Sequence, residues 1–128
     1  MPVWLWFVLG AALLALLGIC AVSVSVVQYL LHQPRDTRAN AEAKEIERGN
    51  LVPGELAAMP LAEFTVQSFD GLSLRCAWLR CGQETGRAVV LVHGFGSRYE
   101  HVLKYAKLYT AHGYDALLFD HRHCGESE

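Results

Sequence analysis

The sequence predicts an α/β fold in which an antiparallel hairpin leads into a parallel strand–helix–strand unit, preceded by one membrane-spanning helix. Three observations carry that expectation. Residues 88–92, Ala-Val-Val-Leu-Val, form a continuous apolar run that ends in His93-Gly94-Phe95-Gly96. Residues 116–119, Ala-Leu-Leu-Phe, repeat the pattern after an intervening helical segment. Residues 1–31 carry no charged side chain, and Val3–Leu31 is almost wholly apolar. Strands covered on both faces read as unbroken apolar runs, and a strand–helix–strand unit closes as a right-handed parallel crossover.

About 20 apolar residues cross a bilayer, and Val3–Leu31 exceeds that. A cleaved leader shows a basic start, an apolar core of roughly 7–15 residues and a small-x-small cleavage site. Here the run is longer, and no Lys or Arg precedes it. Leu17-Gly18-Ile19-Cys20 partly matches a lipoprotein box, but the bulky Ile19 argues against it. Residues 1–32 are therefore expected to be an uncleaved anchor in the lipid bilayer, with Trp4, Trp6 and Tyr29 at the interfaces. Arg35, Arg38, Lys44 and Arg48 follow the span, so the positive-inside bias leans toward a cytoplasmic C-terminal part.

All formal charge lies after the anchor and sums to −2, which leaves no basic footprint for nucleic acid. The four cysteines, Cys20, Cys76, Cys81 and Cys124, form no Cys-x-x-Cys pair and read as reduced thiols. His121, His123 and Cys124 crowd one loop. Zinc needs three or four converging ligands, and no second cluster accompanies them, so neither metal nor cofactor is expected.

Between anchor and strands, residues 33–62 read as a juxtamembrane helix and linker. Residues 36–48 are rich in Ala, Glu, Lys and Arg, which predicts a short helix capped by Asp36, ended by Gly49 and solvated as a spacer. Residues 51–61, with Pro53 and Pro60, read as connector. Residues 63–69 alternate in strand fashion, Asp70-Gly71 supplies a tight turn, and residues 72–81 return with Leu72, Leu74, Cys76 and Trp78 on one face. Residues 82–86 are a polar turn. Ser97 and Glu100 match a capping box, and Val102, Leu103, Ala106 and Tyr109 line one helix face before Gly113 ends it.

The turn after residues 88–92 admits two chemistries, because a glycine-rich turn at a helix N-terminus aims backbone N–H groups at negative charge. The first is dinucleotide binding. Gly94-x-Gly96 fits, but the third glycine of that fingerprint falls at Tyr99, and a leading hairpin is foreign to it. The second is an oxyanion loop.

His93-Gly94-Phe95-Gly96, followed by Asp120-His-Arg-His-Cys-Gly125-Glu-Ser127, resembles the N-terminal half of the α/β-hydrolase family. That family pairs His-Gly-x-Gly after its third strand with Asp-x-Arg-Gly-x-Gly-x-Ser after its fourth; His123 here replaces a small residue. The resemblance covers residues 63–128 and implies the N-terminal portion of an α/β-hydrolase sheet. It is similar in finer detail to membrane-anchored bacterial serine-peptidase-like and esterase members. It implies that the Phe95 backbone N–H stabilises an oxyanion and that His93, Gly94 and Gly96 support the loop. Asp120, Arg122, Gly125 and Ser127 would then hold the loop after the fourth strand by hydrogen bonds and a local ion pair.

Ser127 would fit Gly-x-Ser-x-Gly if a glycine followed Glu128, but the family's nucleophile elbow follows the fifth strand. The family's triad lies in its C-terminal half, so no nucleophile, acid or base maps onto this chain. The expectation is the N-terminal half of a hydrolase domain, inactive and poorly soluble alone, with an apolar strand edge left unpaired. The implied whole is a membrane-anchored serine hydrolase acting through an acyl-enzyme on small-molecule esters or peptides. The alternatives are an Asp-nucleophile epoxide or halide hydrolase and a non-catalytic membrane-bound interaction domain.

Overall fold

The computed structural model describes residues 2–32 and 34–128; Met1 and Gln33, where the expected anchor and linker begin, lie outside them. The chain divides into two compact units, Met1–Pro34 and Arg35–Glu128.

The first unit is one helix, α1 (Val3–Leu31), with mean hydropathy 2.6 over its most apolar window. Its 29 residues reach about 43 Å at 1.5 Å each, enough to cross a bilayer. The two mid-helix hydroxyls, Ser23 and Ser25, donate back to the carbonyls of Ile19 and Ala21 at 2.8 and 2.9 Å. They therefore present no unpaired polar group to an apolar surrounding. A signal sequence passes the same length and composition test.

The second unit opens with α2 (Arg38–Glu47) and the single turn α3 (Glu55–Ala58). Strands β1 (Leu61–Gln67), β2 (Ser73–Leu79) and β3 (Ala88–Val92) follow, then a 3-10 turn (Tyr99–Val102), α4 (Leu103–Ala111) and β4 (Asp115–Phe119). The sheet order is β1-β2-β4-β3. β1 and β2 are antiparallel, with Phe64 opposite Cys76; β3 and β4 are parallel, with Val90 opposite Leu117. β4 pairs antiparallel with β2, so the crossover strand sits inside the sheet and β3 at its edge.

One face of the sheet carries the core. Ala77, Leu79, Ala116 and Leu118 pack with Tyr99, Leu103, Ala106 and Leu56, all buried, and Val89 and Leu91 pack against them. β2 thus turns Ala77 and Leu79 toward the helices and Cys76 and Trp78 away. The other face is open at β3: Val90 and Val92 are 57% and 53% exposed. This corrects the expectation that residues 88–92 are covered on both faces, because no element among the described residues packs the outer face of this edge strand.

Three local expectations are also corrected. Thr37, not Asp36, caps α2, its Oγ1 accepting from Asn40 N at 3.2 Å, and Asp36 is drawn off to tertiary partners. α2 is no solvated spacer, since Ala41 and Glu45 are buried where the helix meets the 3-10 turn. The Ser97–Glu100 capping box does not form. Arg98 stands at the N-cap without a side-chain cap, and both Glu100 carboxylate oxygens are taken by the Arg98 guanidinium at 2.5 and 2.9 Å.

Candidate active site

Parallel strands β3 and β4 deliver their C-terminal loops side by side, the edge of an α/β sheet where ligands bind. His93 follows β3 directly and is 4% exposed. Its Nδ1 lies 2.8 Å from Gly94 O and its Nε2 accepts the His121 N–H at 3.0 Å, which requires the neutral Nδ1–H tautomer. Burial lowers the His93 pKa from its ordinary 6.5, in keeping with an uncharged ring. A ring with both nitrogens engaged by backbone has no lone pair for proton abstraction. It bridges the loop after β3 to the loop after β4.

The turn itself is short. Ser97 N donates to Gly94 O at 3.2 Å, and Gly96 takes φ +64°, a region that favours glycine. Phe95 is 80% exposed, and its N–H has no protein acceptor among the described residues.

Asp120 lies at the end of β4 and is fully buried. Its Oδ1 accepts the Tyr99 N–H at 2.7 Å, capping the first helical turn from across the chain, and its Oδ2 accepts Glu126 N at 3.1 Å. Gly125 packs against that carboxylate. Ser127 is buried as well: its hydroxyl donates to Asp120 O at 2.9 Å and accepts the Arg75 N–H at 2.8 Å, stitching the loop onto β2. Arg122 departs from the expected local pairing. It reaches the hairpin turn, where it binds Asp70 at 2.6 Å and Ser68 at 2.9 Å and lies over the Phe69 ring. The reason is geometric, since the Asp120 carboxylate is already filled by backbone donors.

The structure therefore gathers Asp120 and Ser127 into one hydrogen-bonded loop, with Gly125 packed against Asp120 and His93 tied to it through the His121 N–H, while Phe95 lies at the exposed margin and Arg122 apart. Among the described residues no group of three or more His, Cys, Asp or Glu could hold a metal ion. Sequence reasoning missed the buried polar layer beneath the turn: Arg98 with Glu100, and the Tyr99 hydroxyl donating to Glu63 at 2.7 Å. Burial raises the Glu100 pKa against the opposing pull of Arg98, and burial with the Glu63 bond pushes the Tyr99 phenol up. The Tyr99–Glu63 bond joins separate elements 36 residues apart, so no local spacing marks it.

An antiparallel hairpin feeding a parallel crossover in the order β1-β2-β4-β3, with His-Gly-x-Gly after β3, is a mixed four-stranded α/β sheet of the kind found in α/β-hydrolases. Proteins similar to the chain include a thiohydrolase, an esterase and an α/β hydrolase. The chain is 40% identical over 68 residues to a thiohydrolase, aneE, of Aspergillus aculeatus, covering 52% of this chain and 21% of that protein. An esterase of Pyrococcus furiosus aligns at 24% identity with TM-score 0.49, over 73% of this chain and 33% of its own. An α/β hydrolase of a Penicillium species aligns at 25% with TM-score 0.42, over 55% and 24%. Overlaps of that size add nothing to the strand order itself. The chain spans about a fifth of the thiohydrolase's length. No family model matches it.

Proposed function

We propose that residues 63–128 supply the oxyanion side of a serine hydrolase of esterase or peptidase-like type, held at a membrane by α1. The observation that carries this reading is the Phe95 N–H, which has no acceptor among the described residues and is offered from a turn pinned on both sides by His93 and Asp120. An acyl-transfer intermediate develops a negative oxygen, and a preorganised donor stabilises it without reorganisation cost. Gly94 and Gly96 let the turn approach the substrate, and the exposed Phe95 ring walls the pocket. His93, Asp120, Gly125 and Ser127 are support, and Arg122 fastens the hairpin turn. The nucleophile, acid and base are sought outside residues 1–128. The likeness to a thiohydrolase makes thioesters one acyl class to try beside esters. Arg35, Arg38, Lys44 and Arg48 after α1 support a cytoplasmic domain.

The test compares two variants in the protein that joins these residues to a Gly-x-Ser-x-Gly elbow. Phe95→Pro removes the N–H and is expected to lower kcat by about 10²–10³-fold, whereas Phe95→Ala keeps it and keeps most of kcat. Equal losses in both would assign the effect to the ring instead. Ester hydrolysis by residues 1–128 alone, abolished by Ser127→Ala, overturns the site assignment.

A further inference from the structure

The segment that follows the anchor is fastened to the candidate site by a charged cluster the sequence does not announce. His101, on the 3-10 turn, faces a carboxylate with each ring nitrogen: Nδ1 lies 2.9 Å from Glu45 Oε1 and Nε2 lies 3.1 Å from Asp36 Oδ2. Both carboxylates belong to the segment before the sheet, and Glu45 is 1% exposed. Arg98, the residue that directly follows the His93–Ser97 turn, donates from Nη1 to the backbone carbonyl of Asp36 at 3.1 Å. Arg98 is itself 2% exposed and paired with buried Glu100. One short stretch, residues 98–101, therefore holds the end of the glycine turn and grips the juxtamembrane segment at the same time.

Buried charges of this kind are costly to leave unpaired, so α2 and the 3-10 turn are expected to dock or release together. Ala41, fully buried, gives the contact an apolar centre.

We propose that α2 is a clamp on the Gly94–Arg98 turn rather than a tether, with His101 and Arg98 as positioning residues that transmit its docking to Phe95. Its relevance to catalysis rests on the oxyanion reading. The coupling itself does not, and it is measured without turnover, so failure of either is seen separately.

The experiment is amide hydrogen exchange on the full chain in detergent micelles, comparing wild type with His101→Ala. Exchange in residues 41–47 is expected to rise, and exchange in residues 95–99 to rise with it by about tenfold, while β2 and β4 stay protected. A rise confined to residues 41–47 makes α2 a tether and overturns the clamp. No rise in residues 41–47 overturns the role of His101. Where His101→Ala also exposes β2 and β4, Glu45→Gln takes its place, with the same segments read and the same two outcomes deciding.

Discussion

A methyl group added at Gly125 would meet Asp120 Oδ2 at 2.0 Å, on a backbone with φ +50° that L side chains rarely adopt. The Asp120 carboxylate cannot retreat, because it caps Tyr99 N and holds Glu126 N. Gly125→Ala is therefore expected to cost about 2–4 kcal/mol, from backbone strain and overpacking together. Thermal unfolding of the variant measures it, and an unchanged Tm would refute the packing argument. The motif spacing made Asp120, Gly125 and Ser127 visible as a set. Their division of labour was not visible: the buried Ser127 hydroxyl bridges β4 to β2, and Arg122 serves the hairpin turn rather than its own loop.

At the level of elements, α2 diverges most from its sequence. Composition made it a solvated helix, yet its Glu45 and the preceding Asp36 both bind His101 on the 3-10 turn. Burial raises the Asp36 carboxyl, but hydrogen bonds from His101, Lys44 and Asn40 outweigh it and hold the pKa at about 2. Glu45 is likewise held at about 2 by His101, Asn50 and Arg48 against burial. A depressed carboxyl pKa favours the docked state above the ordinary carboxylate range, and that contribution declines as pH falls below that range and is gone below the depressed value. α2 is therefore expected to stay fully docked on the 3-10 turn at pH 5, to loosen progressively below about pH 4 and to be released below about pH 2. Amide exchange on an acid series follows this, and release already at pH 4 would count against the assigned contacts. The β3 strand was legible as strand because its five residues are all apolar. Its open outer face was not, since an apolar run states that a face tolerates burial and leaves unsaid what buries it.

For the whole molecule, α1 buries no residue of its own and has no charged side chain. On the proposed anchoring, the chain is expected to resist alkaline carbonate extraction from membranes. Leu14→Arg at the helix centre opposes insertion by about 2.5–3.5 kcal/mol and is expected to shift part of the chain to the soluble fraction. Quantitative extraction of wild type would instead mark α1 as a leader or an interface helix.

The sequence by itself determined the elements whose signals are local: the uncharged 29-residue helix, the hairpin turn at Asp70-Gly71, the two apolar strands and the glycine turn between strand and helix. Hydrophobic periodicity and glycine placement act within a few residues, so a linear reading captures them. The tertiary structure alone decided the cap on the 3-10 turn, supplied by Asp120 rather than Ser97, and the docking of α2 through His101. It also decided which strand lies at the edge. These depend on a buried polar group finding its partner wherever the fold brings one within reach. Desolvation makes that pairing obligatory, and no local pattern records the partner's address.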